Sequence, residues 1–289
     1  MLTSLLAVVL LTPNDHEWKL VQSGITNGLS GMALIAARED SAEYLVVHDN
    51  KKEGQVRVSV LEMRRARTPK YQSVQWKGET PVDLEALCAF PKSNKLFLAA
   101  TSKGKVFSVD FDPAAMTATV IDTFELPGAT ATSEFEALAL QVIDGRPVLA
   151  WAERGSLPDN AKLFACTTDI SLKPIGQVMT FELSVPWPTA KGSRSVSDMK
   201  IDSNGTVYIT SAADSGDDGP FQSVLTIAGR LSIKDGEAAF QPGEPTRLFW
   251  TDQHKIEAFD LLPGRTGGLV FGTDDENLGG SVWTNFWPD

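Results

Sequence analysis

The chain has 289 residues and a formal net charge of −11, with 42% hydrophobic and 22% charged residues. This hydrophobic content excludes a disordered chain and allows one large all-β domain or two small domains. The acidic balance argues against nucleic-acid binding, because proteins hold phosphate backbones with clustered lysines and arginines. A net negative charge of this size is compatible with a cation-binding site, or it simply keeps the protein in solution.

The N-terminal residues 2–11 are apolar apart from Thr3 and Ser4. This stretch is shorter than the ~20 residues of a membrane-spanning helix, so we predict no membrane association. No lysine or arginine precedes it and no small-x-small cleavage pattern follows it. We therefore expect an N-terminal strand and favour a cytoplasmic protein, with secretion or export to the periplasm as the alternative.

Familiar catalytic and metal motifs are missing from the sequence. The three histidines are spaced unlike a compact zinc site, and neither a G-x-S-x-G elbow nor a phosphate-binding glycine loop occurs. Cys88 and Cys166 match no metal spacing and lie in apolar runs. We expect both to be buried thiols in strands.

One short pattern recurs along the whole chain: a polar or acidic residue, an apolar stretch, a turn and a second β-rich run. Its copies begin at Ser30, Glu85, Glu136, Ser197 and Glu257. The copies are about 50–60 residues apart, long enough for a four-stranded blade of about 40–50 residues. Radial repetition of blades leaves only short, protected sheet edges. We therefore predict an all-β fold, a single β-propeller over residues 1–289.

The repeat also predicts the internal organisation of the propeller. Five blades are preferred, with six as the alternative, and most blades should be four-stranded and antiparallel. We expect the N- and C-terminal strands to pair and so close the ring. Asp144-Gly145 and Asn204-Gly205 stand between two β-rich runs and predict hairpin turns.

Each predicted hairpin brings the start of its first strand next to the end of its second strand. The residues at the second-strand ends are Asp49, Thr101, Glu153, Asp214 and Asp274. In a closed propeller these residues and the first-strand residues share one rim. The sequence therefore predicts a cluster of carboxylates at the mouth of the central channel.

Crowded carboxylates need positive charge nearby or they resist ionisation. A hard cation such as Ca²⁺ would supply it, and the predicted metal ligands are Glu85, Glu136, Glu257, Asp49, Asp214 and Asp274. Basic side chains are the other source, and those closest in sequence are His48, Arg154, Arg194 and Lys255. Alternatively, the recurrent glutamates only staple neighbouring blades by accepting backbone N–H groups.

Several segments resemble the phytase-like esterase family of β-propellers. They are Lys255-Ile256-Glu257-Ala258, the run from Gly268 to Asp275, Glu134-Phe135-Glu136-Ala137-Leu138 and Ala152-Glu153-Arg154-Gly155. The motifs are shared with gluconolactonase-like and strictosidine-synthase-like propellers. The resemblance implies a propeller with phosphomonoester or ester hydrolysis and calcium. The chain departs from the family pattern, with alanine at Ala86, Ala137 and Ala258 in place of glycine and serine at Ser30 and Ser197 in place of glutamate.

Two functions follow as hypotheses. The first is a module that binds a small anionic ligand or a protein partner at the acidic rim, because no familiar catalytic set is present. The alternative is a calcium-assisted hydrolase of phosphate or carboxylic esters. In that case Glu153 or His254 would be the general base, and His48, Arg154, Arg194 and Lys255 would bind the anionic group.

Overall fold

The computed structural model describes residues 18–65, 67–155, 160–169, 171–172, 176–262 and 268–285. These residues form twenty strands and two short 3-10 turns, Ile25–Asn27 and Glu276–Leu278. No helix in them is long and apolar enough to cross a membrane. The strand expected for residues 2–11 lies outside the described residues.

The strands fall into antiparallel groups of four. The first group contains β2 (Gly31–Ala37), β3 (Ser41–Val47), β4 (Val58–Arg64) and β5 (Lys70–Lys77). The second contains β6 (Leu84–Ala89), β7 (Leu96–Thr101), β8 (Lys105–Asp112) and β9 (Thr117–Glu125). A short parallel pairing of β5 with β9 joins the outer edges of these two groups.

Three further groups complete the fold. The third contains β10 (Phe135–Ile143), β11 (Arg146–Glu153), β12 (Ala161–Thr167) and β13 (Met179–Leu183). The fourth contains β14 (Ser193–Ile201), β15 (Thr206–Ala213), β16 (Gln222–Lys234) and β17 (Glu237–Thr251). The fifth contains β18 (Ile256–Leu261), β19 (Leu269–Thr273), β20 (Gly280–Thr284) and, at its outer edge, β1 (Lys19–Gln22).

The first strands of the five groups surround one axis. Contacts run from β2 to β6, β6 to β10, β10 to β14, β14 to β18 and β18 back to β2. The antiparallel pairing of β1 with β20 ties the start of the described chain to its end. The predicted all-β propeller is confirmed. The blade number of the whole chain stays a prediction, because the five groups are counted on the described residues.

Local sequence signals explain the hairpins next to the axis. Asp144 and Gly145 both have positive φ angles, +49° and +78°, and join β10 to β11. Both central residues of a type I′ turn need this conformation, which is why Asp-Gly favours it. The predicted turn is therefore present where the sequence places it.

The inner strands carry small and aliphatic side chains that pack between neighbouring groups. Ala137, Ala150 and Met199 belong to one such buried cluster, between the third and fourth groups. Cys88 and Cys166 are free and buried, in β6 and β12, as predicted. Burial raises the pKa of Cys166 to about 11, because an apolar surrounding disfavours the thiolate.

At the far end of the axis, buried charged groups connect the inner strands. The Asp198 carboxylate accepts the Phe259 N–H across the gap from β14 to β18, at 3.0 Å. Asp260 accepts the Leu34 N–H at 2.7 Å, which links β18 to β2. Lys200 binds Asp198 at 2.9 Å and donates to the Leu87 carbonyl of β6. The alternative interpretation of the sequence assigns such stapling to the recurrent glutamates; here two aspartates make it, Asp198 in β14 and Asp260 in β18.

We predict that Asp198→Ala destabilises the protein by about 3–5 kcal/mol, because Lys200 is then left buried without its carboxylate. Urea unfolding at pH 7 measures the loss. The double variant Asp198→Asn/Lys200→Met should lose less, since it removes both charges. A single variant that costs under about 1 kcal/mol would show that this staple does not hold the ring.

Candidate axial site

A polar cavity of ≈ 400 Å³ opens at the end of the axis where the inner strands begin. All five strand groups contribute to its wall, in order through Asp49, Glu85, Arg154, Arg194 and Glu257. Further charged residues in the wall are Lys51, Asp83, Lys103, Glu134, Lys255, Asp274 and Glu276. The predicted rim of charged residues therefore forms one continuous cavity.

Three glutamates enter this site through the same backbone irregularity. Pairing of β6 with β7 shifts register between Leu84 and Ala86, so Glu85 is the extra residue of a β-bulge. Glu136 and Glu257 occupy the corresponding bulges of β10 and β18. A bulge re-aims one side chain of a strand. Here it places Glu85 and Glu257 in the cavity wall and Glu136 against one of the wall's arginines.

Two arginines neutralise the carboxylates between the third, fourth and fifth groups. The Arg154 Nε donates to Glu136 Oε1 at 2.5 Å. Arg194 donates to Glu257 Oε1 at 3.0 Å and to Asp214 Oδ2 at 2.8 Å. Although burial alone would raise the pKa of Asp214, Lys255 and Arg194 hold it below its usual value. These guanidinium groups are therefore already paired with protein carboxylates.

Lys255 is surrounded by four carboxylates although its side chain is only 2% exposed. Its ammonium nitrogen lies 3.3 Å from Glu257, 3.7 Å from Asp214 and 3.8 Å from Asp274, and it also contacts Glu276. Burial would lower the pKa of Lys255, but Glu257 and Asp274 raise it above its usual range. The lysine is therefore a buried ammonium ion.

Glu85 lacks such compensation. No basic side chain of the described residues forms an ion pair with it, and burial followed by repulsion from Glu136 and Glu257 raises its pKa well above the usual value. Asp83 stands two residues before it in the chain and lines the same cavity. Burial would raise the pKa of Asp83, but the Ser102 hydroxyl and the Lys51 ammonium group outweigh burial and lower the pKa. The two neighbouring carboxyl groups therefore have pKa values shifted in opposite directions.

Asp83 is held in an unusual backbone conformation. Its φ angle is +67°, in the left-handed region that few residues other than glycine, asparagine and aspartate adopt. The residue stands immediately before β6, and its carboxylate accepts a hydrogen bond from the Ser102 hydroxyl. Such strain persists where the surroundings enforce it, often at functional sites.

The structure brings most of the predicted site residues together. The six predicted metal ligands lie in the cavity wall or are paired with its cations, and Arg154, Arg194 and Lys255 lie among them. Burial, followed by repulsion from Glu257, raises the pKa of both Asp49 and Asp274. The expected crowding of negative charge is therefore present.

Glu153 and His254, the predicted general bases, are not in this wall. Glu153 lines an adjoining cavity of ≈ 790 Å³, where its carboxylate is 3.7 Å from Lys162. His254 stacks on Trp18 with ring centroids 4.2 Å apart, and its Nδ1 is 2.6 Å from the Asp275 carboxylate. The structure gives neither residue direct access to the axial cavity.

His48 does not fit its predicted role in substrate binding. Its side chain is 0% exposed, Nδ1 donates to the Gly28 carbonyl at 2.6 Å, and Nε2 contacts the Ser59 hydroxyl at 3.0 Å. Burial lowers the pKa of His48 to about 4. The imidazole is therefore a neutral part of the core beneath the cavity.

The sequence reasoning missed three functional candidates: Asp83, Lys51 and Glu276. A signal for Asp83 was present, because charged residues stand two positions before each recurrent glutamate. These residues are Asp83, Glu134 and Lys255. Because each of them precedes an equivalent bulge, all three residues lie in the cavity wall. Lys51 and Glu276 carry no comparable pattern, since both come from loops.

The predicted calcium site does not fit the arrangement of side chains. Within the described ranges, no group of three or more histidine, cysteine, aspartate or glutamate side chains is placed to hold a metal ion. The physical reason is the Lys255 ammonium group, which lies between Glu257, Asp214 and Asp274, where an ion would have to bind.

Comparisons with known proteins support the fold. No family model and no curated protein sequence matches the chain, so the phytase-like resemblance is not confirmed. An α-L-arabinofuranosidase from Lactobacillus brevis is similar with a TM-score of 0.53 and 12% identity, over 92% of this chain and 93% of that one. An α-L-arabinofuranosidase from Podospora anserina gives 0.53 and 10%, over 93% and 96%. At these identities the likeness shows a shared propeller fold.

We predict that stability falls by about 2 kcal/mol as pH rises from about 4.5 to 7. Burial, only partly opposed by Arg154, raises the pKa of Glu136 to about 7. In this window the folded chain binds more protons than the unfolded chain, so rising pH favours unfolding. The raised pKa of Glu85 also makes stability fall as pH rises.

Urea unfolding of the wild type and Glu136→Gln across this pH range measures the effect. The free energy of unfolding should change less steeply with pH in Glu136→Gln than in the wild type, and as steeply as in the wild type in Glu125→Gln, which removes an exposed carboxylate of the outer strand β9. Equal slopes in the wild type and Glu136→Gln would contradict the assignment.

Proposed function

We propose that the protein is a hydrolase that cleaves glycosidic bonds in the axial cavity. The observation that supports this proposal is the difference between two equivalent residues. Glu85 and Glu257 occupy the same bulge in two strand groups and line the same cavity. Glu257 is ion-paired with Arg194 and Lys255. Glu85 forms no ion pair with a basic side chain of the described residues, and Lys51 and Arg154 act on it only at longer range.

This difference supplies the two carboxyl groups that glycoside hydrolysis requires. One must be protonated to give its proton to the departing oxygen, and the other must be ionised to assist the attack at the sugar carbon. Glu85 is suited to the acid role because burial favours its neutral form. Glu257 is suited to the second role because its cations stabilise the carboxylate.

The proposed reaction uses water as the second substrate. Glu85 donates its proton to the glycosidic oxygen while the bond from that oxygen to the anomeric carbon breaks. Water adds to the anomeric carbon, and its proton passes to the Glu257 carboxylate. Asp83 is a positioning residue in this scheme, since its carboxylate lines the cavity next to Glu85 and is held by Ser102 and Lys51. Proton exchange between Glu257, solvent and Glu85 restores the starting state.

The substrate class is taken from the structural neighbours. Two of them are named as α-L-arabinofuranosidases, and a third is a GH62 hydrolase in complex with xylotriose. The cavity wall also favours a ligand rich in hydroxyl groups, because charged side chains of both signs line it. The adjoining cavity shares Glu134, Arg154 and Arg194 with it and offers space for further sugar units.

Binding without turnover is the second candidate. It is favoured by the pairing of Arg154, Arg194 and Lys255 with protein carboxylates, which leaves fewer charged groups free to act on a substrate. A binding module would hold a small polar molecule in the cavity and release it unchanged. Activity and binding measured on the same variants separate the two functions.

We predict that Glu85→Gln lowers kcat on aryl glycosides and arabinan at least about 100-fold, because the amide cannot donate an acidic proton. Glu257→Gln should have a loss of similar size. The assay compares 4-nitrophenyl α-L-arabinofuranoside, other aryl glycosides and arabinan. Glu62→Gln, far from the axis, is the matched control and should keep the wild-type rate.

Parallel assays use 4-nitrophenyl phosphate and 4-nitrophenyl acetate, each with and without CaCl₂. Hydrolysis of these esters without hydrolysis of any glycoside would replace our proposal with the esterase hypothesis. Ligand binding by calorimetry in the absence of any turnover would favour the binding module.

A further inference from the structure

Two hydrogen bonds to Asp274 and Asp275 fix the backbone of Lys255 at the cavity. The Lys255 N–H donates to the Asp275 carboxylate at 2.8 Å, and the Lys255 carbonyl accepts the Asp274 N–H at 2.9 Å. The side chain therefore leaves a rigid point directly before β18. Its ammonium group reaches a place that carboxylates from three segments share: Asp214 after β15, Glu257 in β18, and Asp274 with Glu276 after β19.

A buried ammonium ion is costly unless carboxylates surround it closely. Lys255 meets this condition, since all four acidic neighbours lie within 4 Å of its nitrogen and its side chain is 2% exposed. The requirement is mutual, because the four carboxylates from three segments repel one another, and among the described residues Arg194 pairs with only two of them, Asp214 and Glu257. Lys255 therefore offsets part of the negative charge of its four neighbours, and they in turn stabilise its buried positive charge.

We propose that Lys255 is the internal counter-cation of the axial site and takes the position that a divalent metal ion would otherwise occupy. The site consequently assembles without a metal, and removal of the ammonium group opens a cation site. This inference does not depend on the proposed hydrolysis, since it concerns charge balance alone.

The chemistry of the four neighbours supports the exchange of a lysine for a metal. Calcium binds six to eight oxygen atoms from carboxylates, carbonyls and water, at about 2.3–2.6 Å. Four carboxylates converging on one point are such oxygen donors once the ammonium group is gone. An alanine side chain would also leave room for the water molecules that complete the coordination.

The test compares the wild type with Lys255→Ala by titration calorimetry with CaCl₂ and by thermal unfolding at pH 7. We expect the wild type to bind no calcium below about 1 mM and to keep its Tm in 10 mM CaCl₂. Lys255→Ala should have a lower Tm without calcium and bind it with a Kd of about 1 mM or less. Its Tm should then rise by at least about 4 °C in 10 mM CaCl₂.

Two controls separate charge replacement from general effects. Lys255→Arg keeps the positive charge and should gain no calcium dependence. Lys105→Ala removes a surface lysine that is paired with Glu79 at 2.5 Å and should also gain none.

KCl at the same ionic strength should not reproduce the stabilisation of Lys255→Ala, because screening alone does not fill the site.

If Lys255→Ala cannot be recovered in folded form, Lys255→Ala/Glu276→Gln provides the same test with one negative charge fewer. A folded variant of either kind that gains no calcium-dependent stability would overturn the proposal. Tight calcium binding by the wild type would overturn it as well.

Discussion

The closure of five inner strands around one axis is the constraint on which the rest of this structure depends. Because each repeat starts at the same end of the axis, its first residues must meet those of the other repeats. Bulges at Glu85, Glu136 and Glu257 then direct three acidic side chains towards the same place. The fold therefore creates a concentration of negative charge that the sequence has to balance.

The basic partners are distributed unevenly among these three glutamates, and this difference gives the glutamates different chemical roles. Glu136 is bound by Arg154, and Glu257 is bound by Arg194 and Lys255, but Glu85 has no such partner in the described chain. Equivalent residues thus differ in their charged partners, and such differences are how many hydrolytic sites obtain an acid and a base from two carboxyl groups. At the opposite end of the axis, Asp198 and Lys200 are fully paired and serve the fold.

The sequence predicts the fold and the location of the site because both follow from the repeat. The hairpin at Asp144-Gly145 follows from turn chemistry, and the shared rim of Glu85 and Glu257 follows from strand direction. The bulges that turn both side chains into the cavity are not visible in the repeat. The individual roles could not be predicted in this way, since they depend on which cation reaches which carboxylate. His48 shows the difference clearly: it adjoins Asp49 in the chain, yet its ring is buried against Ser59.

Lys255 was expected to bind an anionic ligand, and the structure surrounds it with protein carboxylates. A long side chain beside a repeat position can point to solvent or inwards, and periodicity does not distinguish these directions. Asp83 does stand at a recurrent spacing, two positions before a recurrent glutamate, but neither that spacing nor the hydrophobic pattern shows its left-handed backbone conformation. The roles of both residues become recognisable only when the cavity wall is assembled.

The central claim is that Glu85 in the axial cavity, buried without an ion-pair partner, keeps its proton to a higher pH than an ordinary glutamate. A carbon-13 NMR titration of the glutamate side-chain carboxyls, with the Glu85 resonance assigned by its loss in Glu85→Gln, measures this directly. The account predicts that Glu85 titrates well above the value of about 4.3 typical of glutamate. A Glu85 resonance that titrates together with exposed surface glutamates would contradict it.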